Sequence, residues 1–169
     1  DEVTDTLTDR VHVVVGDMER ANLGLDEAQL DSCMNVDTII HAAADVSHFA
    51  APGTIDARNL RAVENVIDLA RHASARLFHV STSQVMGVPP EESGIYGELC
   101  RDVGQSFLDQ YSHSKFESEK KCFEAFDSGL HGAVLRLGNL CFDSRTGAMA
   151  QTGLANTYAA LINVIARFG

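Results

Sequence analysis

The chain alternates two hydrophobic patterns. Short continuous apolar runs occur at Val11–Val15, Thr38–Ala44, Arg76–Val80 and Ala133–Leu137. Each is the length of a strand buried on both faces, and the first ends at Gly16-Asp17, a turn signal. Between them the apolar residues recur every three or four positions, over Leu25–Met34, over Ile55–His72, from Gln105 or Asp109 through Phe126, and along the final stripe Leu154, Tyr158, Leu161, Ile162 and Ile165. That spacing predicts helices, the third of them stopping near Gly129. Residues Asp1–Arg10 read as a polar lead-in, and Val88–Gly97, with Pro89-Pro90, and Asp143–Gly147 read as loops.

Strand and helix therefore alternate four times. This predicts an α/β, Rossmann-like parallel sheet with helices on both faces. Such sheets bind ligands beyond the carboxyl ends of their strands. Asp17, the run His41-Ala42-Ala43-Ala44, Ser81-Thr82-Ser83 and Gly138-Asn139 all fall there and are expected to line one crevice.

Composition narrows the function. A hydrophobic content of 45% and a charged content of 22% suit a single soluble globular domain, and no tract is long and apolar enough to span a bilayer. The net charge of −11 argues against nucleic acid and anionic membranes as partners. Cys33, Cys100, Cys122 and Cys141 lie far apart, which suggests neither zinc nor a disulfide framework and suits a reducing cytoplasm. Seven histidines show no paired ligand spacing, so no metal centre is expected.

The third helix carries the chemistry. Tyr111 and Lys115 are one turn apart, so a phenol and an ammonium share a face. A cation held beside the phenol would lower its pKa and make it the better acid. Spacing alone equally allows a half-buried tyrosine and a solvated lysine.

The ordered motifs decide between these readings. Gly16-Asp17-Met18, His41-Ala42-Ala43-Ala44, Asn59-Leu60-Arg61-Ala62-Val63-Glu64-Asn65, Val80-Ser81-Thr82-Ser83, Tyr111-x-x-x-Lys115 and Arg136-Leu137-Gly138-Asn139 together resemble an extended short-chain dehydrogenase/reductase. With Asp102-Val103-Gly104-Gln105 and the helix through Lys120, the chain most resembles the terminal thioester reductase domains of nonribosomal peptide and polyketide synthetases, a group that includes carboxylic acid reductases. The resemblance implies that Thr82, Tyr111 and Lys115 are catalytic. It implies that Asp17, Met18, Ala42, Ala43, Ala44, Asn59, Lys115, Leu137 and Gly138 meet the cofactor, NADPH or NADH, and that Ser83 and Asn139 meet substrate.

The implied reaction is NADPH-dependent release of an acyl or peptidyl thioester from a carrier protein's phosphopantetheine arm, as aldehyde or alcohol. The residues themselves leave several roles open. Ser81 or Ser83 can replace Thr82, Asp17 can cap a turn, Asn59 can be an ordinary helix residue, His41 can be a satisfied buried histidine, and Asn139 can serve a turn. The Gly-x-x-Gly-x-x-Gly turn that would cradle a pyrophosphate is absent from this sequence, as is the family's C-terminal substrate region. The chain is therefore expected to be one Rossmann-like domain, 1–169, cut from a larger reductase. The alternatives are a sugar-nucleotide epimerase or dehydratase on the same fold, and a non-catalytic Rossmann-like binding module.

Overall fold

The computed structural model describes residues 10–46, 51, 53–90, 97–138, 140, 143–148 and 157–168. Within the sequence expectations, the lead-in 1–9, loop residues 91–96, Asn139, Cys141 and Leu154 lie outside them. The chain forms two compact units, Asp1–Arg136 and Leu137–Gly169.

In the first unit, a 3-10 turn (Ala21–Gly24) leads into α1 (Glu27–Cys33), β1 (Thr38–His41), α2 (Thr54–His72), β2 (Arg76–Thr82), a second 3-10 turn (Ser83–Met86) and α3 (Gln110–Asp127). The last strand, β3 (Gly132–Leu137), runs to the start of the second unit. The three strands form one sheet in the order β1-β2-β3. β1 and β2 run parallel, with Thr38 opposite Arg76 and His41 opposite His79.

Helix starts and stops follow the local sequence. Asp26 caps α1 by accepting from the Gln29 backbone N–H at 2.8 Å, while Gln29 Oε1 accepts from the Asp26 N–H, a reciprocal capping box. Asp109 caps α3, which ends where Gly129 takes φ 105°, a left-handed conformation that glycine adopts without steric cost. Residues Val63, Val66, Ile67 and Ala70 of α2 close on Leu77 of β2 and on Cys122 and Ala125 of α3. Gly132 is obligatory here, since a Cβ would run into the Leu77 carbonyl and the Phe126 ring.

The expected strand at Val11–Val15 is not one. Its residues form no ladder among the described residues, and Val13 and Val15 are 86% and 82% exposed. A β-branched run becomes a strand only when a neighbour takes its backbone N–H and C=O groups. The only described strand paired with β1 is β2, and Val11–Val15 does not take up the other edge of β1. What organises this segment is the turn after it, where the Asp17 N–H donates to the Leu23 carbonyl at 2.6 Å. The strand expected over Thr38–Ala44 also stops early, at His41, leaving Ala42–Ala44 outside the ladder.

In the second unit, Asp143 closes a tight turn by accepting from the Arg145 and Thr146 N–H groups and the Thr146 hydroxyl. Helix α4 (Thr157–Phe168) follows. Leu161, Ile162, Ile165 and Phe168 of this helix are exposed.

Candidate active site

Tyr111 sits in the first turn of α3 because Asp109 starts the helix there. One Asp109 oxygen accepts from the Ser112 N–H at 2.7 Å and the other from its hydroxyl at 2.8 Å. The phenol is half-buried and lines a cavity of about 840 Å³ together with Gln105, Phe107, Phe116 and the start of α2. A hydrogen-bond contact between His113 Nδ1 and Asp56 at 3.0 Å and a Lys120–Glu117 ion pair at 3.0 Å stand on its wall. Burial, reinforced by the Asp109 carboxylate, raises the Tyr111 pKa above its ordinary value.

This direction is opposite to the one expected from the sequence. Lys115 makes no hydrogen bond to the phenol among the described residues. Its Nζ donates to the Val80 carbonyl at 2.7 Å and contacts His79 Nε2 at 3.2 Å, which draws the amine onto β2. Lys115 is only 3% exposed, and desolvation lowers it to about 8 against the raising pull of Cys122 and Glu119. Spacing alone puts the two residues on one face, but a long flexible lysine follows the strongest acceptors within reach.

His79 lies against His41, their ring centroids 5.1 Å apart. Both histidines are neutral at physiological pH. Burial first, then the Lys115 charge, holds His41 down at about 4, and the same causes plus His41 hold His79 at about 2. Below them, Glu119 and Arg136 form a buried ion pair, with Arg136 Nη2 2.7 Å from Glu119 and 2.9 Å from the Cys100 carbonyl.

Among the three candidate hydroxyls, Thr82 is half-buried and its Oγ1 accepts from the Gln84 N–H at 3.2 Å, capping the following turn. Ser83 is exposed. Ser81 is buried, and its hydroxyl has no hydrogen-bond partner among the described residues.

The cofactor candidates gather elsewhere. Met18, Ala43, Ala44 and Asn59 line a second cavity of about 260 Å³, rimmed by Arg58, which pairs with Asp45 at 2.8 Å and Glu19 at 3.4 Å. Ala42 is exposed beside it in sequence. Asp17 is exposed and accepts from the Glu19 N–H at 3.0 Å. Asn59 is buried and heavily engaged. Its oxygen accepts from the Asp45 N–H at 2.7 Å, and its amide donates to the Asp45 carbonyl and to Ser114 Oγ.

Among the described residues, Tyr111 and the cofactor candidates Met18, Ala43, Ala44 and Asn59 thus line separate cavities. Thr82, Ser83 and Lys115 line neither of them. Leu137 and Gly138 are exposed at the start of the second unit. Asn139 lies outside the described residues. Sequence reasoning did not single out His79, Ser114, Asp45 or Glu119. The available signal was a polar residue, His79, at an inward position of an otherwise apolar strand.

The sequence pattern of an NAD-binding family described as male sterility protein matches residues 1–167. This chain belongs to that male sterility protein family. Among the family's relatives, glycine betaine reductase ATRR of Emericella nidulans is 30% identical over 148 residues, spanning 85% of this chain and 12% of the relative. Two solved structures share the fold closely. The reductase domain of the aureusimine biosynthetic cluster superposes with TM-score 0.81 and 29% identity over 99% of this chain and 43% of that one. The terminal R domain of the myxalamid PKS-NRPS pathway superposes with TM-score 0.82 and 27% identity over 98% and 42%. This male sterility family member thus spans less than half of these relatives.

Proposed function

We propose that the protein containing this chain is an NADPH-dependent reductase that releases a carrier-bound acyl or peptidyl thioester as an aldehyde or alcohol. The observation that carries this reading is Tyr111 on the wall of an 840 Å³ cavity, in a chain similar to terminal reductase domains. The phenol, protonated at neutral pH as an ordinary tyrosine titrating near ~10 is, carries a proton to give. Tyr111 protonates the carbonyl oxygen, and Thr82, whose Oγ1 accepts from the Gln84 N–H and so keeps its own proton free, donates a second hydrogen bond to it. With the hydride that NADPH supplies when bound added to the thioester carbon and the Tyr111 proton on its oxygen, the hemithioacetal expels the carrier thiol and leaves the aldehyde, which a second hydride takes to the alcohol.

NADPH, when bound, supplies the hydride. The 260 Å³ cavity is assigned to one end of such a nucleotide, with Ala43, Ala44 and Ala62 giving it room on one side. Met18 and Asn59, also in its lining, and the neighbouring Asp17 and Ala42 are assigned to the nucleotide. Lys115, Leu137 and Gly138 are assigned to its nicotinamide end, and Ser83 and Asn139 to substrate. The partner is a carrier protein bearing phosphopantetheine, and the setting is the cytoplasm. Among the described residues no helix is long and apolar enough to cross a membrane.

The test is NADPH oxidation by the whole protein with an acyl-pantetheine thioester. Tyr111→Phe is expected to lower turnover at least about 100-fold with the circular dichroism unchanged. Full activity in that variant overturns the reading.

A further inference from the structure

We propose that His79 is a positioning residue for Lys115: it accepts a hydrogen bond from the lysine amine and anchors that amine at the Val80 carbonyl. The inference rests on the proposed function for its kinetic consequence. Its geometry stands independently.

An ammonium has donors only. At 3.2 Å from Lys115 Nζ, His79 Nε2 must therefore be the acceptor, and the imidazole proton must sit on Nδ1. That Nδ1 has no hydrogen-bond partner among the described residues, although His79 is 1% exposed. Leaving a buried donor unpaired is unfavourable, and an apolar side chain would fill this inward position of β2 without that cost. What the imidazole adds is the acceptor at Nε2.

The groups around the amine make that acceptor necessary. On its own helix, Lys115 faces Cys122 and Glu119. Burial holds the Cys122 thiol protonated, its pKa pushed up to about 12. Glu119 is committed to Arg136 through contacts of 3.1, 3.1 and 2.7 Å. From β2 comes His79, and from β1 comes His41, whose ring lies tilted against the His79 ring because the register sets the two residues side by side. His79 is thus the side-chain acceptor for Nζ among the described residues. His41 braces its ring. The amine is held one helical turn from Tyr111 with no hydrogen bond to it among the described residues.

The experiment uses the full chain, with ¹⁵N-labelled histidine and lysine followed by NMR. His79 is expected as the neutral tautomer protonated at Nδ1, and a proton on Nε2 overturns the proposal without any mutation. The Lys115 titration midpoint is then compared in two variants. His79→Phe, which has no acceptor, is expected to move it down by about one pH unit, the loss of one hydrogen bond to a charged group. His79→Gln, which keeps an acceptor near the Nε2 position, is expected to restore it. An unchanged midpoint in His79→Phe, or a glutamine variant no better than the phenylalanine one, overturns the proposal. In the whole protein, His79→Phe is expected to lower kcat at least about tenfold, with kcat recovered in His79→Gln. If the tautomer and titration behave as expected while Tyr111→Phe retains full turnover, the anchoring stands and the reductase reading falls.

Discussion

Tyr111 and Lys115 are one turn apart on the same helix, yet they occupy opposite kinds of environment. The phenol borders a cavity with polar pairs on its wall, and burial, followed by the Asp109 carboxylate, raises its pKa. The amine is buried in a polar layer where two neutral histidines and a backbone carbonyl surround it. Sequence spacing brings two side chains to one face. The acceptors offered by the neighbouring sheet decide what each then does.

The buried half should be the more sensitive to losing a partner. Glu119→Ala leaves Arg136 uncompensated and is expected to cost about 3–5 kcal/mol in urea unfolding. A loss of under about 1 kcal/mol would place this pair with ordinary exposed ones and break the contrast.

Acid probes the same layer. His41 and His79 are held below the unfolded-state value near ~6.5, so the unfolded chain binds protons that the folded chain refuses. Their contribution is complete above pH ~6.5 and is lost as pH falls toward about 4 for His41 and about 2 for His79. Each histidine should steepen the acid loss of stability by about 1.4 kcal/mol per pH unit in that window, measured as denaturation midpoints against pH. His41→Gln and His79→Gln should each flatten the slope.

A smaller effect sharpens the electrostatic side of the comparison. Lys115→Met removes the charge that depresses both rings, so both histidines should titrate at higher pH in NMR. Rings that do not move would assign the depression to burial alone. The smallest effect belongs to the open half. Asp109→Asn keeps a comparable helix cap but removes the negative charge, and Tyr111 is expected to ionise at lower pH in an ultraviolet titration, with stability changed by less than about 0.5 kcal/mol.

Much of this architecture was legible along the chain. The apolar period marked α2 within a residue and left α3 to start at Gln105 or Asp109, of which the structure takes the later, because each helix buries one continuous stripe against β2. Val11–Val15 misled because β-propensity describes fitness for a ladder and cannot supply the neighbouring strand. Tyr111 and Lys115 could be named from their spacing, whereas the reach of Lys115 to Val80 and His79 depends on how α3 lies over β2. The pairing of His41 with His79 required the register of two strands 35 residues apart in sequence, which no local pattern encodes. Asn59 could be named but its partners could not, since Asp45 and Ser114 belong to different elements.

Asn59 also gives the molecule a fixed ruler. Its amide joins Asp45, just beyond β1, to Ser114 Oγ, which in turn donates to the Tyr111 carbonyl at 2.8 Å. The small alanine-lined cavity and the phenol are thus referenced to one side chain. Any displacement of the Ala43–Asp45 backbone has a direct mechanical route to the turn that carries the proton donor.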